Sequence, residues 1–204
     1  IPGVVITGHS PVTLDVQLEP VSVRPAYKVD FRPADGLTLA GFLVDNGLTY
    51  GARGNGLSYG WDAAPCMRSR RHLYSQDASF DALADMQRCS GRVWEMALPD
   101  GTYRVHLVAG DAEPASYGAV RIDVEGTLFA GTTTSADRWV EDSVVVTVSD
   151  GRLTLRNATG AAVNNLCSVE VTRESARAAP PALPANRPLS KAFRRPLAGR
   201  APAR

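Results

Sequence analysis

RVWEMALPDGTYRVHLVA, residues 92–109, decides the fold. Arg92 to Leu98 reads as one strand and Tyr103 to Ala109 as the next, and Pro99-Asp100-Gly101 between them is a tight-turn tripeptide, so the stretch predicts a hairpin. Working outward, Tyr27 to Phe31, Val120 to Val124, Ser143 to Val148, Leu153 to Asn157 and Leu166 to Val171 are further strand candidates. Ser149-Asp150-Gly151-Arg152 predicts a second hairpin. Helix signal is confined to Asp77 to Arg88, a short segment rich in Ala, Leu and Met. Strands do not alternate with long helices, which argues against a parallel α/β sheet. The expectation is an all-β domain over residues 27–173: an antiparallel β-sandwich of jelly-roll type.

Two flanks differ from this center. Residues 1–26 read as extended N-terminal segments broken at Gly8, Pro11, Pro20 and Pro25, with period-two alternation at Val12, Leu14, Val16 and Leu18. From about residue 174 to 204 the chain becomes a Pro/Ala/Arg-rich tail with no apolar periodicity, expected as a linker or as an arm that docks on an acidic surface or a neighboring subunit.

With 22 basic and 21 acidic residues the formal net charge is +1, so the chain as a whole offers no lure for nucleic acid. No apolar run is long enough to span a bilayer. The chain opens at Ile1 without an initiator Met, a start compatible with export after removal of a leader. Of three cysteines, Cys66 and Cys89 are expected to form a disulfide, a crosslink worth about 3 kcal/mol through the unfolded chain, and Cys167 is expected as a free buried thiol. No CxxC pattern or His cluster marks a metal site. Asp45, Asp62, Asp111 and Asp123, with backbone carbonyls, are the stock from which a structural Ca²⁺ would be held, although no DxDxDG-like spacing accompanies them. No other cofactor is expected.

A string of local features gives the middle of the chain a family likeness. In order these are Val29-Asp30-Phe31-Arg32-Pro33, Gly41 to Gly47, Tyr50-Gly51, Tyr59-Gly60-Trp61-Asp62, Val93-Trp94-Glu95, Leu98 to Tyr103, Val108-Ala109-Gly110-Asp111 and Ile122 to Gly126. Taken together they resemble the malectin-like and galactose-binding-like jelly rolls that serve as carbohydrate-binding or accessory modules of bacterial extracellular polysaccharide enzymes. The resemblance covers about Tyr27 to Arg173. It implies that the strands are scaffold and that loops at one end hold a sugar through aromatic and polar side chains.

Gly47 to Arg71 is the richest candidate rim, with five glycines, two tyrosines, a tryptophan and four arginines. Tyr50, Tyr59 and Trp61 are expected to offer ring faces to a pyranose, with Asp62 beside them and Trp139 bordering the same site. Arg53, Arg68, Arg70 and Arg71 supply forks for a carboxylate, which points to an acidic sugar. The competing reading packs the rings beneath the loop and pairs the arginines with nearby aspartates. Gly56-Leu57-Ser58-Tyr59-Gly60 matches G-x-S-x-G, but a glycine-rich loop before it and Pro65 soon after do not make the strand-to-helix elbow a nucleophile needs. His106 lies within a strand and is expected to be structural. Asn157-Ala158-Thr159 is a glycosylation sequon.

The chain is therefore expected to be no enzyme but a secreted or cell-surface module that binds polysaccharide, acidic polysaccharide in particular. The alternative is a self-assembling structural surface protein that uses its terminal arms on neighboring copies.

Overall fold

The computed structural model describes residues 26–34, 38–70, 77–90, 92–113 and 116–174. Within them thirteen strands build two layers. In chain order these are β1 (Ala26–Phe31), β2 (Leu43–Asp45), β3 (Gly51–Ala52), β4 (Ser58–Trp61), β5 (Cys66–Ser69), β6 (Ala82–Asp85) and β7 (Val93–Ala97), followed by β8 (Gly101–Gly110), β9 (Gly118–Val124), β10 (Thr127–Thr133), β11 (Trp139–Val148), β12 (Arg152–Asn157) and β13 (Asn165–Arg173). One sheet runs β11-β8-β13-β1-β2, with β6 beside β13 and β5 beside β6. The other runs β10-β9-β12-β7-β4-β3. Paired strands are antiparallel except β1 and β2. The architecture is a jelly-roll β-sandwich.

Period-two alternation produces the core between the layers. Tyr103, Val105 and Leu107 face inward from β8, and Trp94 and Met96 from β7. Val120, Ile122 and Val124 do so from β9, Leu153 and Leu155 from β12. Trp61, Trp94, Phe31 and Phe129 are the largest fully buried side chains. Each buried residue of this size contributes about 1.5–3 kcal/mol of transfer free energy before chain entropy is subtracted.

The two tight turns are not hairpins. β7 pairs with β4 and β12, whereas β8 pairs with β11 and β13, so Pro99-Asp100-Gly101 carries the chain from one layer to the other. The Ser149 to Gly151 turn makes the same crossing from β11 to β12. The two corners bind each other: Leu98 N donates to Gly151 O at 3.0 Å, and Gly151 N to Asp100 Oδ1 at 3.0 Å. A true two-residue hairpin joins β9 to β10 at Glu125 (φ 49°) and Gly126 (φ 79°), both left-handed as a primed turn requires.

Asp77 to Arg88 is not helical. It holds a 3₁₀ turn, Ala78–Phe80, opened by Asp77 accepting from Ser79 N at 2.9 Å, and then β6. All four β6 residues are buried, and a segment covered on both faces gains more from sheet pairing than from its helix propensity. Leu83, Val108 and Cys167 form a second small core with Phe80 and Trp139. Trp139 begins β11 and packs on Phe80 at 5.4 Å, so it is a strand residue and not part of a preceding loop. Cys167 is a free thiol there, its pKa pushed up by burial. The extended strands expected before residue 26, the tail after residue 174 and the arms of the self-assembly reading lie outside the described residues.

Candidate functional site

At the end of the sandwich away from the crossing corners, described residues of the connection after β6, the one before β9 and the one before β13 come together. Between them lies a cleft of about 230 Å³ lined by Asp85, Gln87, Arg88, Ser116, Ala162, Val163 and Asn165. Asp85 (5% exposed), Asn165 (5%) and Ser116 (7%) make its floor.

Local sequence explains why the floor holds its shape. Asp85 ends β6 and stands opposite Asn165, the first residue of β13. Its Oδ1 accepts from Gln87 N at 3.0 Å and Arg88 N at 3.1 Å, an aspartate-capped turn that aims both side chains at the cleft. Arg88 Nε returns to Asp85 Oδ2 at 3.4 Å while most of its side chain stays in water. Cys89 follows immediately and is disulfide-bonded to Cys66, whose backbone is in register with Asp85, with Cα atoms 5.4 Å apart. The turn is thus tied to β5 as well as to β6.

The next layer is a buried ion pair. Arg70 grips Asp111 in two-point fashion, Nε to Oδ1 and Nη2 to Oδ2 at 2.6 Å each, and also meets Glu113 at 2.8 Å. That hydrogen bonding pushes the Arg70 pKa up. Asp111 also accepts from Glu113 N at 2.9 Å and, more weakly, from Asn165 Nδ2 at 3.5 Å. Asn165 itself lines the cleft. Beside it, Asn164 Nδ2 donates to Arg121 O and to Asn157 Oδ1 at 2.6 Å each, and Asn157 Nδ2 donates to Met86 O at 2.6 Å. The sequon amide is therefore consumed inside the scaffold.

The predicted rim is built differently. β4 lies in register with β7, Tyr59 opposite Met96 and Trp61 opposite Trp94, which turns both rings into the core. Trp61 is 0% and Tyr59 3% exposed, so they offer no stacking face. Trp61 and Trp94 donate their indole N–H to the two oxygens of Asp45, at 3.0 and 2.8 Å, and Gly47 N adds a third donor at 2.8 Å. Burial pushes the Asp45 pKa up, against these donors. Phe31 meets both indoles edge-on, and Tyr59 Oη donates to Val44 O at 3.1 Å. Gly60 (φ 136°) has to be glycine: a Cβ there would meet Leu48 O at 2.6 Å and run into the Arg53 guanidinium.

The other nominated residues scatter. Arg152 covers the Tyr50 ring at 4.3 Å. Arg53 donates to the Leu48 and Thr49 carbonyls and lies 4.9 Å from the Tyr59 ring center. Arg68 sits in β5 opposite Leu83. Asp62 Oδ1 accepts from the backbone of Ala63, Arg92 and Val93, and Arg71 lies outside the described residues. Asp62 and Arg70 thus pin two of the connections beside the cleft, and none of the nominated residues among those described lines it. Asp85, Gln87, Arg88, Ser116 and Asn165 were not singled out from the sequence. The only local signals were the aspartate two residues before Gln87 and the cysteine after Arg88.

Nor do the four aspartates of the calcium expectation come together. Asp45 serves two indoles, Asp111 serves Arg70, Asp62 serves backbone N–H groups, and Asp123 accepts from Gly126 N. Among the described residues no three His, Cys, Asp or Glu side chains converge as a metal site. Ser58 opens β4 opposite Ala52, on an edge hairpin and not a nucleophile elbow. His106 lies within hydrogen-bonding distance of Ser143 and Glu141, both at 3.2 Å, far along the strands from the cleft.

No family model matches the chain, and no curated protein matches it in sequence. Solved structures do. Protein YXIM of Bacillus subtilis superposes with a TM-score of 0.53 at 19% identity, over 74% of this chain and 40% of its own. A β-glucuronidase of Bacteroides uniformis superposes with a TM-score of 0.54 at 14% identity, over 74% of this chain and 18% of its own. At such identities the likeness establishes a shared fold. The chain corresponds to less than half the length of either molecule.

Proposed function

We propose that the chain is a non-catalytic glycan-binding or accessory module that works outside the cytoplasm and takes its ligand in the loop-end cleft. The observation that carries the reading is the floor: three polar side chains nine-tenths buried yet lining an open cavity. Polar side chains held in place at the floor of a cleft offer hydrogen bonds to a hydroxyl-rich ligand. Asp85 accepts from sugar hydroxyls, Ser116 donates or accepts, and Asn165 and Gln87 offer side-chain amides. Arg88 at the mouth supplies a cation for the carboxylate of an acidic sugar. The fold is shared with part of an enzyme whose name says that it acts on β-glucuronides, which supports both the accessory role and a uronate ligand. The Cys66–Cys89 disulfide supports an oxidizing compartment. No helix among the described residues is long and apolar enough to cross a membrane.

The test is retention of the purified chain on neutral and acidic polysaccharide gels, beside Ser116→Ala and Gln87→Ala, with reducing-sugar release followed in parallel. Retention lost in both variants while their melting curves stay unchanged supports the cleft. Retention indifferent to both, or polysaccharide turnover by the wild type, sinks the reading.

A further inference from the structure

We propose that Asn55 is a self-modifying position, which the folded chain converts to aspartate and isoaspartate through a cyclic imide, while Asn46 is shielded from the same reaction. Asn-Gly-Leu occurs twice, at residues 46–48 and 55–57, and both asparagines are exposed. A glycine after asparagine leaves the following amide nitrogen uncrowded, so by sequence the two sites are equivalent. Their backbone surroundings separate them.

The reaction is an attack by the glycine amide nitrogen on the asparagine side-chain carbon Cγ. The nitrogen gives its proton to a solvent base and bonds to Cγ; the Cγ–Nδ2 bond breaks, and the side-chain nitrogen leaves as ammonia with a proton from water. Water then opens the imide. Opening at one carbonyl restores the backbone with an aspartate, and opening at the other routes the backbone through the side chain as isoaspartate. Either product exchanges an amide for a carboxylate, which adds one to the 21 acidic residues and takes the formal net charge from +1 to 0.

At Asn55 the nucleophile is free to act. Asn55 Oδ1 accepts from Leu57 N at 3.0 Å, which folds the side chain back toward the Gly56 peptide. Among the described residues no hydrogen bond holds the Gly56 N–H, and beyond the chain neighbors nothing lies within 4 Å of where a Gly56 Cβ would sit. The turn joins β3 to β4 at a sheet edge where β3 is only two residues long, so a lengthened backbone there leaves the rest of the sandwich paired. At Asn46 the nucleophile is held. Gly47 N donates to Asp45 Oδ1 at 2.8 Å, and Asp45 is 1% exposed. Attack would take the proton out of that hydrogen bond and set a nitrogen anion against a buried carboxylate, two like charges where water screens poorly. Met67 walls the same place, its Cγ 3.0 Å from where a Gly47 Cβ would sit.

Aging the full chain at mildly alkaline pH tests this, with both sites followed by peptide mapping and mass spectrometry, in buffer and in parallel in guanidinium chloride. In the folded chain Asn55 is expected to convert about tenfold or more faster than Asn46, the rate equivalent of one hydrogen bond to a carboxylate. In guanidinium chloride the two rates should converge. Asn55→Ser should abolish the more acidic species that ion exchange resolves, and Asn46→Ser should leave it; both positions are exposed, so both variants are expected to fold. Equal rates in the folded chain, faster loss at Asn46, or an Asn55 that persists in the folded chain while it converts in denaturant overturns the proposal.

Discussion

Trp61→Phe separates the ring-platform reading from the buried one by measurement. In the structure the Trp61 indole donates to a carboxylate oxygen of Asp45 that is itself 1% exposed. Removing the donor forfeits a hydrogen bond to a buried charge, about 1.5–3 kcal/mol, and the smaller ring leaves a partial void worth about 1 kcal/mol more. The expected loss is therefore about 3 kcal/mol, a fall in melting temperature of roughly 6–12 °C for a domain of this size. Urea unfolding followed by far-ultraviolet circular dichroism measures it. In an Asp45→Asn background the acceptor is neutral, and the same substitution should cost about 1 kcal/mol less. Glycan retention of the folded variant should match the wild type. A stability loss under about 0.5 kcal/mol, the range of ordinary surface substitutions, or a binding defect without a stability defect, would return Trp61 to the surface and refute the core assignment.

Three further outcomes follow from the described contacts. Asp30 is wholly buried beside Arg32, and burial pushes its pKa up to about 6 from 3.8. A carboxyl raised in the folded state stabilizes most below its unfolded value and loses that contribution as pH rises through about 6, here about 3 kcal/mol; urea midpoints between pH 4 and 7 should fall more steeply with pH in the wild type than in Asp30→Asn, and equal slopes would contradict the shift. Reducing the Cys66–Cys89 bridge, which closes a 23-residue separation, should cost about 3 kcal/mol and weaken sugar binding by loosening Gln87 and Arg88; unchanged affinity in a still-folded reduced chain would disconnect the bridge from the cleft. Gly60→Ala should destabilize by about 2 kcal/mol or more, read as lost soluble yield or a lowered urea midpoint, since its methyl group has backbone carbonyls in its way; a neutral result would contradict the close approach at β4.

Much of the fold was legible because β8, β9, β12 and β13 carry a two-residue repeat that survives in any sandwich. What pairs with what was not. Pro99-Asp100-Gly101 has the same chemistry whether its flanking strands lie side by side or part into opposite layers, and the choice is made by contacts with β11 and β4, far away in sequence. Asp77 to Arg88 misled through composition: Ala, Leu and Met suit a helix in isolation, while here β6 is buried on both faces. The rim misled for the opposite reason. Glycines around Tyr59 and Trp61 suggested an exposed loop, although Tyr59-Gly60-Trp61 already has strand periodicity and Asp45 is the acid its indole requires. The cleft was least legible, because it is assembled from single residues of three connections, each ordinary in its own neighborhood.

The carboxylate shared by two indoles has an optical consequence. Of the three tryptophans, Trp61 and Trp94 both have one ionizable group as their polar neighbor. When acid protonates that group the anion beside both chromophores vanishes, so intrinsic emission should change color and intensity together. The molecule carries its own internal gauge of proton uptake, readable without any label.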